Sequence, residues 1–187
     1  MNDAEFIERM VLKGKEAGEK VKNEFSSLSS EQLNWKPSPE KWSIGQCLDH
    51  LLVSDMQYFP VLQKIAEKKY KMTFWEKWSP FSILFGRMLA QQLQENVSTK
   101  LKAPKIFRPG ESNIDAGIFE RFQKHLDTLL EYISTCRDLD TDKLHITSPV
   151  SKFITYSLRD AIKILIQHEH RHINQAAKVK ADKNFPA

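Results

Sequence analysis

The stretch "YSLRDAIKILIQHEHRHINQAA" (156–177) predicts an amphipathic helix and carries the most unusual group of side chains in the chain. Ser157-x-x-Asp160 is a capping-box pattern, in which side chains satisfy free backbone N–H groups where a helix begins. The apolar stripe that follows at helical spacing ends in imidazoles: Leu158, Ile162, Leu165, His168, His172 and Ala176. One face of this helix is therefore predicted to serve both the core and a polar site.

Three other segments show the same helical periodicity. They cover residues 3–25, 44 to about 70 with a kink expected at Pro60, and about 113–137. Capping patterns mark the starts of the second and third segments, at Ser43-x-x-Gln46 and Ser112-x-x-Asp115. Gly14 and Gly18 weaken the prediction for the first segment, because glycine is a poor helix former.

Four amphipathic helices in 187 residues pack most simply as a four-helix bundle. We therefore predict an all-α fold of one domain, residues 1–187, with a long crossover between the second and third helices. The crossover contains an aromatic segment, residues 74–85, which could cover the core, line a pocket or form a dimer face, and core cover is favoured. Residues 137–153 are predicted to be turns.

Composition and charge exclude several classes of protein. The formal net charge is +4 with basic and acidic residues interleaved, so no nucleic-acid partner is expected, although the cluster "TKLKAPKIFR" (99–108) could contact an anionic ligand. No apolar run approaches the 18 or so residues that span a bilayer, so no membrane partner is expected. The polar start "MNDAEFIERM" is unlike a signal peptide, and Cys47 and Cys136 are predicted to be buried free thiols, which together favour the cytoplasm.

The spacing of the histidines predicts a metal site. His168 and His172 lie about 40° apart on one helix face and one turn from each other, so their ring nitrogens can converge on one ion. His170 lies about 200° from His168 and is predicted at the surface. The alternative is a pair of hydrogen-bonded core histidines, because a buried imidazole without a partner costs about 1–3 kcal/mol.

His168-Glu169-x-x-His172 also matches the zinc-protease motif, in which the glutamate is the general base. That motif needs a third ligand farther along the chain, but only 15 residues follow His172 and none is His, Glu or Cys. No segment is predicted as a strand that could hold an extended peptide. We therefore expect no peptidase and interpret Glu169 as a solvated residue that remains a candidate base. The di-iron bundle is also excluded, because it needs a second Glu-x-x-His.

A third ligand must come from elsewhere in the chain. His50, His125 and His145 are available. Periodicity alone favours His125, which follows Ile118 and Phe122 along the inner face of the third helix, whereas His50 lies on the flank of its stripe and His145 in a turn.

Three stretches together resemble the DinB-like family over nearly the whole chain: "EKWSIGQCLDHLLVSD" (40–55), "KAPKIFRPGES" (102–112) and "YSLRDAIKILIQHEHRHINQA" (156–176). A Trp-Ser helix entry followed by a histidine, paired with a C-terminal His-x-x-x-His-x-x-Gln, carries the resemblance. The resemblance implies a four-helix bundle with an unusual helix order and a long crossover. It also implies one divalent metal, nickel or zinc, on His50, His168 and His172. His125 then becomes a core or supporting histidine.

Members of the family often form dimers, and some transfer a low-molecular-weight thiol. We therefore expect a cytoplasmic homodimer with a small-molecule substrate, acting as a metal-dependent thiol transferase or hydrolase through a metal-bound water or thiolate. Three further residues could take part in the site, although a packed thiol is favoured for Cys47 and surface charges are favoured for Arg171 and Lys163. Gln175 could hydrogen-bond to the ring of a metal ligand. The alternatives are a non-catalytic metal-binding stress-response or interaction module, with residues 74–85 as its partner surface, and a bundle without metal.

Overall fold

A computed structural model of the chain describes residues 1–78, 107–109 and 113–187. Within these ranges the helices are α1 (Asp3–Phe25), α2 (Ser30–Asn34), α3 (Ile44–Met56), α4 (Phe59–Ala66), α5 (Phe74–Trp78), α6 (Ile118–Ser134) and α7 (Leu158–Lys180). An antiparallel hairpin is formed by β1 (His145–Ser148) and β2 (Ser151–Ser157). The aromatic segment beyond Trp78, the cap residue Ser112 and most of the basic cluster 99–108 lie outside the described residues.

The predicted all-α class is confirmed. Helices α1 and α3 each pack against both α6 and α7, and the buried side chains of all four form one apolar core. Two glycines leave room for α6 beside α1, since a Cβ at Gly14 would collide with Leu130 and one at Gly18 would lie 2.9 Å from Leu126. Gly14 and Gly18 are poor helix formers, but because they have no side chain they let α1 lie close to α6.

The two helices that carry the site begin where their capping patterns predicted. The Ser43 hydroxyl accepts the Gln46 N–H at 3.1 Å, and the Gln46 side chain accepts the Ser43 N–H at 3.3 Å. At the start of α7, the Ser157 hydroxyl accepts the Asp160 N–H at 3.1 Å. These caps fix the positions at which α3 and α7 begin, and with them the faces that meet.

Two helix boundaries differ from the prediction. The second helix is not continuous: α3 ends at Met56, and α4 begins at Phe59 with Pro60 in its first turn, where the missing N–H costs nothing. The third helix begins at Ile118 instead of about 113. There the Asp115 carboxylate accepts the Gly117 N–H and pairs with Arg121, which holds the residues before α6 in a turn.

The segment predicted as turns contains the hairpin, and His145 lies in a strand. Its sequence does carry a strand signal, because residues 144–156 are rich in isoleucine and threonine, which favour extended backbone. Ile146 and Tyr156 face each other across the ladder, and both are buried. No helix in the described ranges is long and apolar enough to cross a bilayer.

We expect Tyr156→Phe to lower the free energy of unfolding by about 1–2 kcal/mol. The Tyr156 and Tyr58 hydroxyls hydrogen-bond at 2.7 Å, and both side chains are buried. Tyr156→Phe leaves the Tyr58 hydroxyl without this partner, and Tyr58→Phe does the reverse. The double variant Tyr58→Phe/Tyr156→Phe removes both hydroxyls, so its loss of stability should be smaller than the sum of the losses in the two single variants. Urea unfolding of the four proteins measures the coupling, and additive losses would show that the hydroxyls do not interact.

Candidate metal centre

Two neighbouring helices bring three histidines together. His50 lies on α3, His168 and His172 lie on α7, and the two helices pack side by side. The ring centroids are 4.4 to 4.9 Å apart, and one ring nitrogen from each histidine lies within 4.8 Å of the others. The structure thus brings together the three predicted ligands, and this cluster could hold a metal ion.

The donor atoms fit a divalent metal. The Nε2 atoms of His50 and His168 are 3.1 Å apart. Two imidazole nitrogens bound to one ion at about 2.0–2.1 Å with tetrahedral angles would be about 3.3 Å apart, close to the observed separation. Without an ion between them, the two facing nitrogens would need a proton that one donates to the other.

Partners outside the cluster orient two of the rings. The Nδ1–H of His50 donates to the Phe107 carbonyl, and the Ser54 hydroxyl lies 3.3 Å from the same nitrogen. The Nδ1–H of His172 donates to the Gln175 side-chain oxygen at 3.1 Å, in the supporting role predicted for Gln175. We assign the protons to Nδ1 in both rings, which leaves each Nε2 lone pair for a metal.

Burial keeps all three imidazoles neutral. It is the largest effect on each, and it lowers the pKa of His168 well below the ordinary value and that of His172 to about 3. The neighbouring histidines and the Arg171 cation act in the same direction on both. Burial also lowers the pKa of His50, although the Phe107 carbonyl opposes the change. Neutral imidazole is the form that binds metals, so the cluster is ready to do so at pH 7.

Trp42 is a site residue that the sequence analysis treated only as part of a helix entry. Its ring centroid lies 4.7 Å from that of His50 and 5.7 Å from that of His172, so the indole forms one wall of the cluster. A signal was available, because Trp42 directly precedes the cap residue Ser43. Large apolar residues at that position fold back over the first turns of the helix.

We expect Gln175→Leu to weaken metal affinity about 10- to 100-fold, because it removes the acceptor that orients the His172 ring. Gln175→Glu keeps an oxygen in the same place and should retain most of the affinity. Competition against a chromophoric chelator measures both constants. If the leucine and glutamate variants bind equally well, the hydrogen bond to His172 has no part in metal binding.

Glu169 is not solvated, which corrects the prediction. Its side chain is fully buried, because α7 packs against both α1 and α3 and buries a wide arc of its surface. The carboxyl lies against that of Asp55 on α3, and burial together with this neighbour raises the pKa of Glu169 well above its ordinary value. Among the described residues, no other group donates to these four carboxyl oxygens with good hydrogen-bond geometry, so the contact between the two carboxyls is satisfied only when one of them is protonated and donates to the other.

His125, the histidine that periodicity favoured, belongs to this second group and not to the cluster. Its Nε2 lies 3.4 Å from the Asp55 carboxylate, and its ring stacks on Phe59 with centroids 4.6 Å apart. The group Asp55, His125 and Glu169 joins α3, α6 and α7 inside the core. In the sequence, Asp55 continues the apolar stripe of its helix one turn after Leu51, and a charged residue in such a stripe indicates a buried partner.

The remaining candidates lie away from the three ring nitrogens. Cys47 is buried, and burial raises its pKa to about 12, so it stays a packed thiol, the role favoured from the sequence. His170 points away from the cluster as predicted, but it is partly buried and its Nε2 lies 3.0 Å from the Lys13 carbonyl. Lys163 pairs with Asp160 at 3.4 Å. The charge of Arg171, in contrast, reaches His168 and His172.

A family model described as the DinB superfamily matches residues 15–176. An uncharacterized protein of Bacillus subtilis strain 168, YuaE, is 28% identical over 159 residues, which cover 84% of this chain and 89% of that protein. No solved structure gives a significant match.

Proposed function

Because the chain belongs to the DinB superfamily, we propose that it is a metal-dependent enzyme whose divalent ion is held by His50, His168 and His172. The observation that carries the proposal is the convergence of three neutral imidazoles on one point. Three protein ligands leave coordination positions open, which is typical of catalytic zinc sites, whereas structural sites have four protein ligands.

The proposed reaction is transfer of a low-molecular-weight thiol to an electrophile, or hydrolysis of a small substrate. A divalent ion bound there would supply the Lewis acidity that makes a thiol or water a nucleophile at neutral pH. The Phe107 carbonyl and the Gln175 side chain hold the ring protons of His50 and His172 away from the cluster. The Trp42 indole shields one side of the cluster. Arg171 adds a positive charge that favours the approach of an anionic group.

The proposal extends to the ion, the assembly and the compartment. Nickel or zinc is proposed because imidazole ligands suit both ions. Other divalent transition-metal ions would also bind, with affinities in the usual order for such ligands. Dimer formation is proposed from the family resemblance. A cytoplasmic location is proposed because Cys47 and Cys136 are free and buried, which is compatible with a reducing compartment. No nucleic-acid partner is proposed.

The activity test uses protein stripped by a chelator and reloaded with zinc or nickel. We expect the reloaded protein to consume a small thiol in the presence of an electrophile, or to hydrolyse one of a panel of small esters. His172→Ala should lose the activity, whereas His170→Ala should keep it, because His170 faces away from the cluster.

One observation favours the alternative of a non-catalytic module, namely the strongly exposed aromatic residues of α5, which are typical of a partner surface. The two functions differ in a measurable way. Such a module would bind one ion per chain and lose much of its stability on chelation. It would neither consume the thiol in the presence of an electrophile nor hydrolyse any of the esters.

A further inference from the structure

A group of exposed apolar side chains lies where α5 meets the hairpin. This aromatic face consists of Phe74, Trp75, Trp78, Val150 and Phe153, with exposed fractions of 78%, 41%, 72%, 47% and 67%. Five of the eight strongly exposed large apolar residues in the described ranges belong to it. Such a concentration is typical of an interaction surface, since single exposed apolar residues are usually scattered.

The aromatic face is held in position from beneath. The Glu76 side chain is 4% exposed and accepts hydrogen bonds from the Thr73 N–H at 2.7 Å, the Thr73 hydroxyl at 2.9 Å and the Thr147 hydroxyl at 2.8 Å. The Trp75 indole N–H donates to the Phe153 carbonyl at 3.2 Å. These bonds tie α5 to the hairpin, so the outward direction of the aromatic rings is fixed by the fold.

The rim of the aromatic face is basic. The Lys152 ammonium lies 5.4 Å from the centre of the Phe153 ring, and two further exposed lysines, Lys71 and Lys77, lie within three residues of the aromatic side chains of α5 in the sequence. The acidic residue of the same stretch, Glu76, is buried on the inner side. Two copies meeting through this face would bring like charges together, whereas an anionic surface would be attracted to it.

The shape of the aromatic face suits a soft, flat surface. Phe74 and Trp78 remain more than two-thirds exposed although their ring centroids are 6.4 Å apart, so the rings protrude and do not line a groove. The Trp75 N–H is already satisfied within the protein, so its ring can enter an apolar medium without losing a hydrogen bond. Lysine side chains beside such rings keep their charges at the headgroup level.

We propose that the aromatic face binds the surface of an anionic lipid bilayer, with the rings at the interface and the three lysines against the headgroups. Tryptophan and phenylalanine are favoured at that depth, and each lysine adds attraction to an anionic leaflet. The expectation of no membrane partner rested on the lack of a spanning segment, which a peripheral contact does not need. The inference holds independently of the metal centre.

Co-sedimentation of the full-length protein with vesicles tests the proposal. We expect binding to vesicles that contain phosphatidylglycerol, weaker binding to pure phosphatidylcholine, and a decrease with added salt. Phe74→Ser/Trp78→Ser should lower the partition coefficient at least about tenfold, because two apolar anchors are removed. The matched control is Leu12→Ser on α1, whose side chain is 58% exposed away from the aromatic face and whose replacement should leave binding unchanged.

Fluorescence quenching by brominated lipid identifies the inserted residues. The wild-type protein should be quenched, and Trp75→Phe/Trp78→Phe should bind while losing most of the quenching, since Trp35 and Trp42 are partly buried in the protein. Three results would overturn the proposal: no binding by the wild-type protein, equal binding by Phe74→Ser/Trp78→Ser, or no quenching. If quenching is absent and light scattering shows that the serine variant changes the oligomeric state, the aromatic face is an interface between copies.

Discussion

After reloading with zinc or nickel, purified His168→Ala is expected to contain almost no bound metal, whereas the wild-type protein treated in the same way should contain about one ion per chain. Imidazole nitrogens are bonded directly to such an ion, so removing one of three ligands should weaken binding by more than the roughly 10- to 100-fold caused by loss of a supporting hydrogen bond. His50→Ala and His172→Ala should behave in the same way, because the three ring nitrogens lie within 4.8 Å of one another. Elemental analysis after gel filtration measures the ratio.

The control for this experiment lies on the same helix. His170→Ala removes an imidazole that contacts the Lys13 carbonyl and lies outside the cluster, so its metal content should equal that of the wild-type protein. Circular dichroism checks that every variant is helical. If the three cluster variants retain full metal content, the histidines are hydrogen-bonded core residues and the proposed enzyme is excluded with them.

Glu169→Gln is expected to leave the stability of the protein unchanged near pH 4.5 and to raise it at pH 8, by about 1–2 kcal/mol. The pKa of Glu169 is raised in the folded protein, so its protonated form is the one that fits the core. Its contribution to stability is complete below the unfolded pKa and is lost as the pH rises through the higher folded pKa. The glutamine amide has the same shape, carries no charge and does not titrate.

Urea unfolding of both proteins at several pH values between 4.5 and 8 measures this effect as a difference. The histidine cluster is common to both proteins, so its own pH dependence cancels to a first approximation. Glu131→Gln on α6 changes an exposed glutamate and should show no such trend. A constant difference between the Glu169→Gln and wild-type proteins at all pH values would show that the Glu169 carboxyl is charged in the core.

The buried group of Asp55, His125 and Glu169 also explains why helical periodicity favours His125 as the third ligand although this residue lies outside the histidine cluster. His125 does lie on the inner face of its helix, and it is buried as that periodicity requires. Helical periodicity shows that a side chain points toward the core, but it does not show which side chain of a neighbouring helix will contact it. In this fold α6 brings His125 to Asp55, while α3 and α7 bring His50 to His168.

Much of the local structure followed from the sequence. Short-range patterns predicted the helices that carry the site, because a cap at Ser43 or Ser157 and a stripe of apolar residues depend on neighbours within a few positions. The hairpin was missed, since a short strand gains its stability from a partner strand and from buried contacts such as Tyr58 to Tyr156, which are distant in sequence. The family resemblance supplied His50, which spacing alone placed behind His125.

The sequence by itself determined that His168 and His172 share one face of one helix, because one turn of an α-helix separates residues four apart. Only the tertiary structure decided what surrounds them. The packing of α3 on α7 adds His50, places Trp42 over the rings and buries Glu169 against Asp55. Apart from the contact of Trp42 with His50, these contacts join residues more than 100 positions apart. Their geometry depends on how far the helices approach and rotate, which no short-range pattern encodes.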